Sequence, residues 1–433
     1  MSNLFKDRFK RSLALGKMAV QVGVREFTSG DLQSRIDQAK ILAEGLGQLR
    51  GAAMKAGQML SLDLADYFPP EAVQILSQLQ NQVAESPHLN IEEVLNKELG
   101  PERRSRIIGL DPKPIAAASI GQVYRARIDD RLVAIKAQYP DVDQSIKSDI
   151  DVLKKIFSTF CLLTGRQMDL GPAFAEIETV LRGELDYERE AKYVVQFGEL
   201  FAKHAWRGCQ FRAPQVYNDY STGRILTLSF ENGRTLKDWM SSKPSAEQRE
   251  LVGESLVELL MMEVFSWRLI QTDPNPSNYL IDDSLERPQI VAIDFGATKS
   301  YTPEFIKAYR SLIRTMSEGN AKSIIESSVG LGLIDPRESD ESKALFVELL
   351  VLGAEPFQQP LPGQTRKFKF KDAVFLQENI RISRLLLSKL KYSPPPNQLL
   401  FLNRKLGGIY AILRKLDVEI DLTPYMKVII GED

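Results

Sequence analysis

The segment QTDPNPSNYLIDDSLERPQIVAIDFGATK, residues 271–299, constrains the fold more than any other stretch of this chain. A polar DPNPSN turn leads into an apolar YLI run, a polar reversal and a strand-like IVAI that ends at Asp-Phe-Gly, which predicts a loop, a hairpin and a strand end. Such a path lets Asp273, Asn278 and Asp294 converge as oxygen donors. Asn278 and Asp294 suit Mg²⁺, which needs few protein ligands when phosphates supply the others. Asp273, five residues before Asn278, is placed to face an acceptor. Asp and Asn also mark ordinary turns, so each residue alone carries little. A D-x-x-x-x-N spacing followed by an apolar strand and DFG is a phosphoryl-transfer pattern.

The rest of the chain must supply the other half of such a site. With 433 residues, 43% of them hydrophobic, it can form one large or two medium domains with substantial cores. Its 56 basic and 57 acidic residues balance, so no global charge favours nucleic acid. Cys161 and Cys209 are the two cysteines, His88 and His204 the two histidines. That excludes a Cys/His zinc site, a disulfide scaffold and a His-dependent triad, and both cysteines read as reduced core residues. The N-terminus lacks a signal-peptide core and no apolar run reaches about eighteen residues, which predicts a cytoplasmic protein.

Residues 5–27 form a basic amphipathic segment that suits either an anionic membrane face or packing on the protein body. After TSGD a helix is expected from about Leu32 to Leu60, containing GAAMKAGQMLSL. Small residues there permit close approach by another element, so Lys55 and Gln58 either snorkel to solvent or project into a polar cleft. FPPEAVQILSQLQNQV reads as a proline-started helix, and Asn90 to Glu98 as one more short helix.

In IAAASIGQVYRARIDDRLVAIKAQYP two strand-like runs flank a polar turn. Ala116, Ala117, Ala118 and Ser119 approach the first strand, Gly121 lies in it, and Lys136 closes the second as VAIK. A hairpin beside a nucleotide can cover its phosphates with backbone groups while Lys136 neutralises the α and β phosphates. Alanines at the tip restrict the backbone where a phosphate loop ordinarily carries glycines. The helical stretch FAEIETVLRGELDYEREAKYVVQFGEL offers acidic partners. As a continuous helix it places Asp186 and Glu190 on one face, with Glu184 elsewhere. Two pairs follow as expectations: Lys136 with Glu190, and Lys55 with Glu184 or Asp186. Val216 to Phe230 reads as a hairpin whose Leu228 to Phe230 backbone meets an adenine edge, with Gly233 permitting a bend. A long helix from about Ser245 through LVGESLVELLMMEVFSWRLI supports the metal-binding loop, and the chain beyond Lys299 reads as mainly helical packing.

KAGQ at Lys55–Gln58, AAASIGQVYRA at Ala116–Ala126, VAIK at Val133–Lys136, ELDYEREA at Glu184–Ala191, DPNPSN at Asp273–Asn278 and DFG at Asp294–Gly296 together resemble the ABC1/UbiB atypical protein-kinase-like family. The resemblance spans about Leu32 to Thr298 and implies an α+β, two-lobed kinase-like fold. Its expected parts are a helical extension over residues 1–110 laid across the cleft, an N-lobe over 111–233, and a C-lobe with terminal helices over 234–433. It implies ATP and Mg²⁺ as cofactors. Asp273 is then the catalytic-loop aspartate, Asn278 and Asp294 bind the ion, and Lys136 contacts phosphate and pairs with Glu190. Lys55 and Gln58 cover the usual protein-substrate site, held by Glu184 and Asp186, and the alanine-rich loop shapes nucleotide selectivity. Family members look like ATPases or unorthodox kinases linked to ubiquinone or other isoprenoid-lipid homeostasis. The expected partners are ATP, a small-molecule or lipid acceptor and a membrane surface, without nucleic acid. The chain departs from the family pattern at Gln271, Asn275 and Ser277, where histidines and a glycine are common. The alternatives are a nucleotide-regulated binding module with negligible chemistry, and a conventional small-molecule kinase, which leaves KAGQ unexplained.

Overall fold

The computed structural model describes residues 89–117, 120–140, 142–143, 146–147, 150–151, 154, 171–284, 287–357, 367–390 and 397–430. The chain separates into two compact units. The first comprises Met1–Asp130, Ala134–Asp186 and Thr222–Ile225, and the second Arg131–Val133, Tyr187–Ser221 and Leu226–Asp433. Lys55, Gln58, Ala118 and Ser119 lie outside the described residues, as do the helices expected before Leu89.

The first unit opens with α1 (Ile91–Ser105), whose N-cap Asn90 accepts the Glu93 N–H at 3.3 Å. The short helix expected over Asn90–Glu98 is present: Gly100, at φ 76°, breaks the helical path just beyond it, and Pro101 starts a further stretch of helix that reaches Ser105. Strands β1 (Ile107–Ile108), β2 (Ala116–Ala117), β3 (Gly121–Ile128) and β4 (Arg131–Gln138) follow, with β1 and β2 both antiparallel to β3. Asp129 and Asp130 join β3 to β4 with φ 47° and 64°, the positive values that a two-residue hairpin turn demands. Along β4 the alternate residues Val133, Ile135 and Ala137 are fully buried, leaving Lys136 on the half-buried face. Lys136 does not close the strand, which continues to Gln138 because Gln138 still donates its N–H to the Arg224 carbonyl at 3.2 Å. Gly121 packs against the Ala137 carbonyl so closely that a methyl group there would collide. Helix α2 (Gly171–Glu184) completes the unit.

In the second unit, α3 (Tyr187–Lys203) buries Glu190, Val194, Phe197 and Phe201. The break between α2 and α3 overturns one sequence expectation. Asp186 precedes α3 rather than sharing a helix face with Glu190, because Leu185 and Asp186 donate back to Arg182 and Gly183 and close α2. Strand β5 (Gln210–Arg212) comes next, then β6 (Ile225–Ser229) and β7 (Arg234–Thr235). The hairpin expected at Val216–Phe230 keeps its pairing, with Tyr217 donating to Thr227 and Ser229 to Gln215. Its first arm is reduced to a bridge at Val216 and a 3₁₀ turn over Asn218–Tyr220. The Phe230 N–H is taken up by the Leu132 carbonyl at 3.1 Å.

Helix α4 (Leu236–Ser241) leads to α5 (Ala246–Met261), which starts at Ser245 through a capping box with Gln248. The helix expected to run on through Ile270 instead passes into a π-helical turn over Met262–Trp267 and stops where Arg268 adopts φ 56°. That stop frees Leu269–Gln271 to become β8, antiparallel to β11 (Thr298–Ser300). Between them lie β9 (Tyr279–Asp282) and β10 (Gln289–Ala292), paired as the predicted hairpin in a sheet ordered β5-β10-β9-β7. The remaining chain forms α6 (Pro303–Glu318), α7 (Ala321–Gly330), α8 (Asp340–Ala354), β12 (Phe368–Lys369), α9 (Ala373–Lys389), α10 (Asn397–Leu416), β13 (Glu419–Ile420) and α11 (Thr423–Ile430). Among the described residues no helix is long and apolar enough to cross a membrane. Cys209 is fully buried, which pushes its thiol up, and has formed no disulfide.

Candidate functional site

The loop between β8 and β9 is built by hydrogen bonds that the DPNPSN sequence makes with itself and with the DFG turn. The Asn275 side chain accepts the Ser277 N–H at 2.9 Å, and the Asn278 N–H reaches the Asn275 carbonyl at 2.9 Å. Thr272 donates its N–H and its hydroxyl to the Ala297 carbonyl, at 3.2 and 2.6 Å, fastening the loop to the residue after DFG. The Ile293 N–H closes the other side on the Asn278 carbonyl at 3.0 Å.

Asn278 bonds to the first of the two carboxylate residues, Asp273, and lines one cavity with the second, Asp294. Its Nδ2 donates to the Asp273 carbonyl and to Asp273 Oδ2, each at 3.2 Å, which orients the amide with its oxygen turned away from Asp273. Asp294 Oδ1 accepts the Gly296 N–H at 3.0 Å. Asn278 and Asp294 line the same small cavity, together with Glu263, Gln271, Tyr279 and Phe295. Among the described residues no three His, Cys, Asp or Glu side chains cluster to hold a metal by themselves. An oriented amide oxygen beside one carboxylate instead fits a hard divalent ion that takes its other oxygens from phosphate and water.

The DFG turn is held from α3. Phe295, 1% exposed, lies 4.9 Å from Phe197 between ring centroids, and the Gly296 carbonyl accepts from Arg189 at 3.0 Å. A methyl group on Gly296 would sit 3.4 Å from Glu190 Oε2 and 3.5 Å from Asp294 Oδ1. The buried Glu190 carboxylate therefore stands at the same turn as Asp294. Within the second unit the structure thus gathers Asp273, Asn278, Asp294 and Glu190 at one turn and loop. Ala116, Ala117, Gly121, Lys136, Glu184 and Asp186 belong to the first unit, with Glu184 8% exposed at the end of α2. Leu228 and Phe230 sit at the end of β6 in the second.

Sequence reasoning missed what α10 contributes. Arg404 Nη2 donates to Asp273 Oδ1 at 3.1 Å, with the two side chains 5% and 14% exposed. The next residue, Lys405, is fully buried, 2.7 Å from Glu263 Oε2 and 3.2 Å from the Tyr279 hydroxyl. Burial works against the Lys405 charge, but Glu263 and Tyr279 outweigh it and hold the ammonium above its ordinary range. Burial likewise raises the Tyr279 hydroxyl. Gln271 is 4% exposed, and neither atom of its side-chain amide bonds to a described residue. An arginine and a lysine in the middle of the helix NQLLFLNRKLGGIYAILRKL, well before its basic last turn and followed by a glycine pair, were the available signal.

The comparisons agree with this geometry. Residues 78–328, more than half of the chain, match the model of the ABC1 atypical kinase-like domain. The chain is 30% identical over 425 residues to the mitochondrial atypical kinase COQ8 of Saccharomyces cerevisiae, covering 96% of this chain and 82% of the yeast protein. It is 31% identical over 417 residues to mitochondrial coq-8 of Caenorhabditis elegans, covering 95% of this chain but 53% of that protein. The solved Rv3197–erythromycin complex from Mycobacterium tuberculosis aligns with a TM-score of 0.60 at 25% identity, over 88% of this chain and 93% of that one. With an α+β kinase-like fold, a DPNPSN loop bound to a DFG turn, and these relatives, the chain belongs to the ABC1 atypical kinase-like family, a class of transferases.

Proposed function

We propose that this protein binds Mg-ATP and transfers the γ-phosphoryl group to water or to a small or isoprenoid-lipid-related acceptor. The observation that carries this reading is the position of Asn278, whose amide nitrogen holds Asp273 and which lines one cavity with Asp294. In this reading Asn278 and Asp294 hold the divalent ion, which offsets charge on the β and γ phosphates when bound. Asp273 orients the acceptor hydroxyl. Its Oδ1 and Oδ2 accept from Arg404 and Asn278, which hold the carboxylate in one orientation. The family resemblance assigns Lys136 to the α and β phosphates with Glu190 as its acidic partner, and Ala116, Ala117, Ala118, Ser119 and Gly121 to the cover of the nucleotide. Leu228 and Phe230 border the adenine. Lys55 and Gln58, which lie outside the described residues, are assigned by the family resemblance to exclude protein substrates, with Glu184 and Asp186 as their acidic partners. The relatives' kinase names support transfer rather than binding alone.

The test is phosphate release from Mg-ATP by the purified protein. Asp273→Asn is expected to slow release by on the order of 10²-fold or more, with nucleotide affinity changed by less than about threefold. Equal rates in both proteins would remove this role from Asp273. A screen with extracted membrane lipids and soluble metabolites, following labelled product beside free phosphate, separates transfer to an acceptor from hydrolysis.

A further inference from the structure

We propose that Arg404 is a positioning residue for Asp273, and that α10 serves as the template on which the catalytic loop is held. This deepens the phosphoryl-transfer reading and rests on it for the role of Asp273. Pro274, Asn275, Pro276 and Ser277 include no cation, so the loop's own next four residues bring no charge to the aspartate. Asn278 anchors Oδ2, and Arg404 anchors Oδ1 from 131 residues further along the chain. Two anchors on opposite oxygens hold the rotation of a carboxylate more tightly than either does alone. A guanidinium suits the task because it stays charged at every working pH and presents a planar fork of donors.

Three further contacts show that α10 is built around this loop. Gly408 faces Pro274, and a methyl group at Gly408 would overlap the proline ring, so only glycine lets the helix come this close. Lys405, one residue after Arg404, ties down both flanks of the loop. It pairs with Glu263 Oε2, whose other oxygen accepts the Gln271 N–H at 3.4 Å where β8 ends. It also reaches the Tyr279 hydroxyl where β9 begins. Consecutive residues on a helix diverge by about 100°, which lets Arg404 reach the aspartate while Lys405 turns into the core. The loop is therefore gripped at its entry, its aspartate, its proline and its exit by residues 404–408 or the pair that Lys405 makes.

The experiment compares wild type, Arg404→Met, Arg404→Lys, Asp273→Asn, the Arg404→Met/Asp273→Asn double variant and Gly408→Ala. Two readouts are taken: steady-state phosphate release, and hydrogen exchange of the segment spanning Thr272 to Tyr279. Arg404→Met is expected to lower kcat by roughly 10- to 100-fold with KM for ATP within about twofold, because a misplaced acceptor-orienting group costs rate rather than nucleotide binding. Arg404→Lys recovers part of the loss. The double variant is no slower than Asp273→Asn alone, since Arg404 acts through the aspartate. Loop exchange in Arg404→Met rises by about tenfold, with exchange in α6 unchanged. Gly408→Ala keeps every charge and improves helix propensity, so its expected loss of kcat tests the seating of α10 even where Arg404→Met folds poorly. Wild-type kcat in Arg404→Met, or losses that multiply in the double variant, would overturn the proposal. A wild type that releases no phosphate would sink the functional reading instead, and loop exchange then decides the inference: unchanged exchange in both Arg404→Met and Gly408→Ala overturns it.

Discussion

In the proposed mechanism Asn278 carries two tasks, one for each end of its amide. Its Nδ2 holds Asp273 at 3.2 Å, while its Oδ1, the atom proposed to meet the ion, is turned away from Asp273. Asp294 is proposed to hold the ion, and its Oδ1 also receives the Gly296 N–H that shapes the DFG turn. The two positions should therefore fail differently. Asp294→Asn keeps an oxygen for Gly296 but removes the charge, so Mg²⁺ should no longer raise ATP affinity. Titration calorimetry with and without Mg²⁺ checks this, and an undiminished Mg²⁺ effect counts against Asp294 as a ligand. Asn278→Leu should lose the Mg²⁺ effect and also loosen Asp273, so that turnover falls further than in Asp294→Asn. These residues were legible because D-x-x-x-x-N and DFG are local patterns on a hairpin that alternation predicts. Glu190 was legible as an acidic helix residue, but its burial beside Gly296 depends on a helix start at Tyr187 that the run of helix-forming residues concealed.

At the scale of elements, the π-helical turn over Met262–Trp267 and helix α10 decide how the loop is held. The turn carries Glu263 into the core, and α10 answers with Lys405, both almost fully buried at 2.7 Å. Removing one partner of such a pair strands the other charge away from water. Lys405→Met is expected to cost about 3–5 kcal/mol, and Glu263→Gln/Lys405→Met distinctly less than the two single losses combined. Urea unfolding measures both, and additive losses would show that the pair is not coupled. Helix α5 shows a smaller effect of the same kind: Ser245→Ala removes the capping box and should cost about 1 kcal/mol in the same assay. Sequence periodicity found α5 but carried it through Ile270, because Val264, Phe265, Leu269 and Ile270 continue an apolar pattern. Only the left-handed backbone at Arg268 ends it.

At the scale of the molecule, the terminal helices belong to the body that carries the loop. Helix α10 packs along α5, where a Cβ on Gly253 would lie 3.3 Å from Leu413, and Arg249 donates to the Leu416 carbonyl at 2.7 Å. Helix α11 is fastened by Arg310, which donates to the Ile429 carbonyl at 2.7 Å and to Phe265 at 2.8 Å. Leu402, Ile409, Leu413, Ile420 and Ile429 are all nearly or fully buried. Truncation at residue 390 should therefore abolish cooperative unfolding of the second unit, seen by calorimetry, rather than trim a dispensable tail. A preserved transition would show that the helices only dock. The sequence by itself determined the β3–β4 hairpin and the three polar residues of the loop, because those rest on spacing within a few residues and on strand alternation, and the kinase-like class through the resemblance its motifs carry together. Tertiary structure alone decided that Glu190 stands at the DFG turn and that Arg404, Lys405 and Gly408 grip the catalytic loop. Those contacts join residues more than a hundred positions apart, and a buried cation on an apolar helix discloses its partner only when the chain has folded the carboxylate against it.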